Sequence, residues 1–127
     1  MIVDFFIENF RSIKDEQHFS METDISRRKL DNTFEVELAD GSELRHASKL
    51  QLVKSAVVYG ANASGKSNFI RAFAALRYLI TKSDSFKVGA SISCYEPFEL
   101  EKGYETQPVK FSITFIATDL IKYANQE

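Results

Sequence analysis

The chain has 127 residues, enough for one domain with a real core. Its apolar fraction is 44%, its charged fraction 27% and its formal net charge -2, so no global positive field draws it to nucleic acid or to an anionic membrane. Two prolines and five glycines argue against low complexity, and the single cysteine, Cys94, excludes an internal disulfide and suits a reducing, cytoplasmic setting. The N-terminus carries Asp4 and Glu8 inside its apolar run and lacks a basic leader, so it does not read as a signal peptide. No stretch approaches 18 uncharged apolar residues, and no membrane span is expected.

In chain order, Ile2 to Phe10 reads as a strand closed by Asn9-Phe10-Arg11-Ser12, and Gln17 to Met21 as a second strand antiparallel to it. Glu22 to Asn32 is a polar loop holding Arg27-Arg28-Lys29. Phe34 to Leu38 and Glu43 to His46 flank Asp40-Gly41, a hairpin signal. Lys49 to Tyr59 turns apolar and ends in the uninterrupted run Ala56-Val57-Val58-Tyr59, as in a strand buried on both faces. Ser67 to Ile80 has helical spacing, with Phe69, Ile70, Phe73, Leu76, Leu79 and Ile80 on one face. After a small-residue loop, Tyr95 to Leu100 and Val109 to Ala117 read as strands, with Phe98, Phe111 and Phe115 in the core; Leu120 to Tyr123 begins another.

Between the apolar run and the helix lies Gly60-Ala61-Asn62-Ala63-Ser64-Gly65-Lys66-Ser67, which satisfies G-x-x-x-x-G-K-[ST] without a mismatch. Two glycines permit backbone conformations that a Cβ forbids, so several N–H groups can turn inward as a nest for phosphate oxygens. The helix that follows adds its unpaired amides and positive dipole end. Lys66 brings an ammonium to the β- and γ-phosphates, and Ser67 a hydroxyl to Mg²⁺. The expected ligand is therefore a nucleoside triphosphate with its magnesium.

The wider string Val58-Tyr59-Gly60-Ala61-Asn62-Ala63-Ser64-Gly65-Lys66-Ser67-Asn68 resembles the YGxNxSGKSN loop of prokaryotic AAA-family ATP-binding proteins. These are ABC-type heads related to the SMC and RecF ATPases, some of them similar to the RloA and abortive-infection ATPases of phage defence. Ile7-Glu8-Asn9-Phe10-Arg11-Ser12 resembles the hxNFRS strand end with which such heads begin, and Tyr95-Glu96-Pro97-Phe98 the PF segment after the first helix. The resemblance implies an α/β P-loop NTPase fold: the N-terminal lobe of an ABC-type head, a mixed, largely antiparallel sheet packed on the P-loop helix. It implies that Arg11 and Ser12 lie beside the phosphate or base, that Asn62 helps position the γ-phosphate or its water, and that Asn68 is among the nucleotide-binding residues. It also implies ATP and Mg²⁺ as ligands, an ATP-dependent head-to-head homodimer, and an effector protein or nucleic acid as partner.

A Walker B run ending in Asp-Glu and an LSGGQ-like signature are not found in these 127 residues; Phe115-Ile116-Ala117-Thr118-Asp119-Leu120 comes nearest to the former. The expectation is a single partial domain with little ATP turnover of its own and an exposed sheet edge. Alternatives are another P-loop enzyme, a small-molecule kinase or a GTPase, although the N-K-x-D string of a GTPase is lacking, or a non-catalytic nucleotide-sensing fragment. His18 and His46 have no ligand-spaced partners, and Glu96, Glu99, Glu101 and Glu105 read as a solvated face.

Overall fold

The computed structural model describes residues 1–23, 31–37 and 49–117. Its strands are β1 (Ile2–Glu8), β2 (Gln17–Ser20), β3 (Thr33–Glu37), β4 (Lys49–Val53) and β5 (Lys110–Phe115); the one long helix among the described residues is α1 (Lys66–Lys82), followed by a 3-10 turn, Ser83–Ser85. A three-stranded sheet has the order β2-β1-β5, and β3 pairs with β4 in a second sheet. Both are antiparallel. Met1 exchanges hydrogen bonds with Ile116 at one end of β1, while Lys110 bonds Glu8 at the other. On the opposite edge, Phe10 bridges Ile13 and the Met21 amide donates to the Val3 carbonyl.

The chain divides into two compact units. The first takes in Met1–Phe5, Phe19–Val57 and the segment from Ile113 onward. In it, β3 and β4 run in the register Phe34↔Leu52 and Val36↔Leu50. That register follows from alternation: Leu50 and Leu52 turn inward onto Val3, with Phe34, Val36 and Ile116 packed around them. On the solvent side Lys49 pairs with Glu35 at 2.7 Å and with its cross-strand neighbour Glu37 at 3.5 Å. Hydrogen bonding to the Glu35 carboxylate holds the Lys49 ammonium above the ordinary lysine pKa. Residues 21–23 bond the other edge of β4, through Thr23 N to Gln51 O and Val53 N to Met21 O.

The second unit, Phe6–His18 with Val58–Ser112, carries α1 and the glycine loop. Helix α1 buries Ala72 and Ala75 fully and Phe69, Phe73, Leu76 and Leu79 by half; Ile70 and Ile80, expected on the same face, are exposed. At the end of β1, Phe10 is fully buried and meets Phe111 edge-on at 5.4 Å between centroids. Phe6 stacks on His18 at 4.1 Å.

Three expectations are corrected. Strand β4 stops at Val53, so Ala56 to Tyr59 is no buried strand: Val57 is 85% and Tyr59 90% exposed. An apolar run is buried only where neighbouring strands or helices cover it, and none of the described residues does so here. Tyr95 to Leu100 is not a strand; Pro97 lacks a ladder donor, and the flanking backbone groups bond the end of β1 instead. Phe98 is buried and Phe111 half-buried, but Phe115 is 60% exposed. The hairpin expected around Asp40-Gly41, the Arg27-Arg28-Lys29 loop, His46 and Leu120 to Tyr123 lie outside the described residues. Among the described residues no helix is long and apolar enough to cross a membrane.

Leu52 is fully buried at the centre of the first unit. Leu52→Ala is expected to lower unfolding free energy by about 2–5 kcal/mol in urea denaturation, through lost transfer energy and the cavity left; a loss below about 1 kcal/mol would contradict this placement.

Candidate functional site: a glycine loop at a helix N-terminus

The loop's shape is set by local chemistry. Gly65 occupies the N-cap position of α1 at φ 91°, and Ala63 lies at φ 64°, both left-handed. A Cβ at Gly60 would come within 2.9 Å of the Ser64 Oγ, so any larger residue there would require the Ser64 hydroxyl to shift. The Ser64 amide turns back to the Ala61 carbonyl at 3.3 Å, and the amides of Asn68 and Phe69 both donate to Gly65 O. The Lys66 ammonium folds across the loop. It donates to Gly60 O at 2.7 Å, Ala61 O at 2.5 Å and Ser64 Oγ at 3.3 Å.

Helix α1 begins without a side-chain cap and without an acid in its first turn. The amides of Lys66 and Ser67 have no acceptor among the described residues, as the opening turn of a helix dictates. Unneutralised amides and a positive dipole end therefore stand at the start of the helix, next to the loop that the Lys66 ammonium bridges. Asn62 and Ser67 are exposed beside it.

The turn after β1 reaches the same place. Arg11 and Ser12 are the two central residues of a tight hairpin, in which Phe10 and Ile13 exchange both backbone hydrogen bonds at 2.8 Å. Arg11 sits at φ 53°, an uncommon conformation for a bulky residue. Ser12 Oγ accepts a hydrogen bond from Asn68 Nδ2 at 2.7 Å, tying the turn to the first turn of α1. Arg11 is held twice by Glu96: its amide donates to Glu96 O at 2.8 Å and its guanidinium to Oε1 at 2.6 Å. Arg11, Ser12, Asn68, Tyr95, Glu96 and Leu100 line a cleft of about 390 Å³. The expected site residues Arg11, Ser12 and Asn68 thus share one wall.

Residues 55–123, more than half of the chain, match the family described as "AAA domain, putative AbiEii toxin, Type IV TA system". The chain belongs to this AAA family. No curated protein and no solved structure gave a match. AAA membership makes it a P-loop NTPase of α/β architecture, a nucleotide-binding, ATPase-like protein.

The AAA ligands, ATP and Mg²⁺, can be tested against the residues present. The Gly60 cradle, which a Cβ would fill, and the free amides of Lys66 and Ser67 suit phosphate oxygens. Among the described residues no group of three His, Cys, Asp or Glu could hold a metal ion. A magnesium ion here would rest on Ser67, phosphate oxygens and its own waters, which is how Mg²⁺ commonly binds beside nucleotides.

The acids expected as a solvated face are in part structural. Glu96 pairs with Arg11, and Glu101 pairs with Lys14 at 2.6 Å; hydrogen bonding to Glu101 raises the Lys14 pKa. Cys94 is half-buried, and burial pushes its thiol pKa up, so it is no activated thiolate. The residue that sequence reasoning passed over is Asn9. It is buried at 1% exposure, at φ 53°, with its amide inside the second unit. The one available signal was its residue type, since asparagine at a strand end tolerates left-handed backbone better than most.

Gly65→Ala is expected to cost about 1–2 kcal/mol, because its φ of 91° strains any L side chain while the nearest atom, Ser12 Oγ, leaves room at 3.5 Å. Thermal or urea unfolding checks this; an unchanged midpoint would mean that the left-handed cap does not form in solution.

Proposed function

We propose that this chain is the ATP-binding N-terminal lobe of an ABC-type ATPase head of the SMC and RecF kind. The reading is carried by a glycine loop that the Lys66 ammonium bridges and that leads directly into the unneutralised start of α1. In it, the free amides of Lys66 and Ser67 hold the phosphates, the Lys66 ammonium neutralises their charge, and Ser67 reaches Mg²⁺. Arg11, Ser12 and Asn68 flank the phosphate or base from the cleft they line.

Bound ATP would supply the phosphoryl group, and magnesium with the Lys66 ammonium would neutralise the charge on its phosphate oxygens. The parts that orient an attacking water, a Walker B carboxylate and a partner's signature loop, are not found in these 127 residues. The chain alone therefore binds nucleotide weakly and turns over little. ATP-dependent head-to-head dimerisation and hydrolysis belong to the complete head. The family's description names a toxin of a type IV toxin–antitoxin system, which supports a place in phage defence over DNA maintenance.

Titration of a fluorescent ATP analogue with Mg²⁺ tests this reading. Lys66→Ala is expected to weaken binding by at least about tenfold, the scale of a lost charge-assisted contact, with the far-UV circular dichroism unchanged. ATP is expected to compete better than GTP. Equal affinity in the variant and the parent chain would refute the assignment.

A further inference from the structure

The segment from Tyr95 to Pro108, whose first residues up to Leu100 line the cleft with Asn68, contains no strand or helix. Its backbone groups must find partners outside a ladder. One side chain supplies several of them. Asn9 Oδ1 accepts from Phe98 N at 3.0 Å, and Asn9 Nδ2 donates to Tyr104 O at 3.0 Å, Gln107 O at 3.0 Å and, more weakly, Pro108 O at 3.4 Å. The acceptor and donor ends of one amide thus pin both ends of the segment, Phe98 and Gln107, to the same point at the end of β1.

Asn9 lies two residues before Arg11, and Glu96 lies two residues before Phe98, the nearest residue that Asn9 holds. Glu96 holds Arg11 by its carbonyl and its carboxylate. From this arrangement we infer that Asn9 is a positioning residue for the nucleotide cleft: its buried amide sets where Glu96 stands, and Glu96 in turn aims the Arg11 guanidinium. The inference rests on the nucleotide reading of the cleft.

The requirement is narrow. The backbone at φ 53° favours Gly, Asn or Asp. Only Asn among these offers a donor and an acceptor together at neutral pH. Asp has the same shape, yet would turn a carboxylate oxygen onto the carbonyls of Tyr104 and Gln107. Gly keeps the turn and deletes the amide.

The test is a set of titrations of the whole chain with a fluorescent ATP analogue and Mg²⁺. Asn9→Asp is expected to weaken binding about tenfold, as a buried hydrogen-bonded group is replaced by a repelling one. In an Arg11→Ala background the same change is expected to cost less than about twofold, because residues acting through one another are not additive. Equal losses in both backgrounds would show that Asn9 merely supports the fold, and no loss in either would overturn the inference outright. Asn9→Gly serves the same comparison if the aspartate variant does not fold.

Lys66→Ala separates the two readings. If it binds like the parent chain, the nucleotide assignment fails. The positioning claim is then decided by amide hydrogen exchange: Asn9→Gly is expected to lose protection at the Arg11 amide, which donates to Glu96 O, and retained protection there would sink it.

Discussion

A backbone that leaves regular secondary structure still has to satisfy its polar groups, and in the second unit that constraint falls on one buried carboxamide. Asn9 meets an amide and three carbonyls of the segment between Phe98 and Pro108. Secondary contacts then gather round it. The Tyr95 hydroxyl donates to the carbonyls of Glu105 and Gln107, Phe98 meets Tyr104 edge-on, and the Lys14 ammonium lies over the Tyr104 ring. The ion pairs Arg11–Glu96 and Lys14–Glu101 are partly exposed and weak contributors by themselves. Their value is geometric, since they orient groups that the buried amide has already brought close.

The glycine loop obeys the opposite logic. Its hydrogen bonds join residues at most six apart, from Lys66 back to Gly60. Its two structural demands, a close approach at Gly60 and a left-handed cap at Gly65, are both met by residues inside the motif. The glycine loop is therefore assembled by short-range chemistry with little loop-closure entropy. The wall carrying Arg11 depends on contacts between residues 85 or more apart in sequence.

This division explains what could be read from the residues alone. The loop and α1 were legible because their signal is a spacing: glycines at fixed offsets, then apolar residues at helical period. Strand β5 was legible from its alternation and β1 from its Ile, Val and Phe content, although their ends were set one or two residues too long. The segment Tyr95 to Leu100 was misread because its apolar and aromatic content suits a strand, while its backbone is held by Asn9 and Arg11, more than eighty residues away. Local pattern carries no trace of such a partner. The role of Glu96 was hidden likewise, since its contact with Arg11 depends on two turns meeting in space.

The apolar run before the loop shows where pattern and environment part. Val57, Val58 and Tyr59 have the composition of a central strand, yet all three are exposed. A strand buried on both faces needs neighbours on both edges and covers on both faces. The loop that follows does not wait for them: its glycines, its lysine bridge and its helix start are complete without a ladder on Ala56 to Tyr59. The shape of the glycine loop and sheet completion are thus separable in this sequence. The former is written into eight residues, while the exposed side chains ahead of it mark apolar surface that folding of the described residues leaves uncovered.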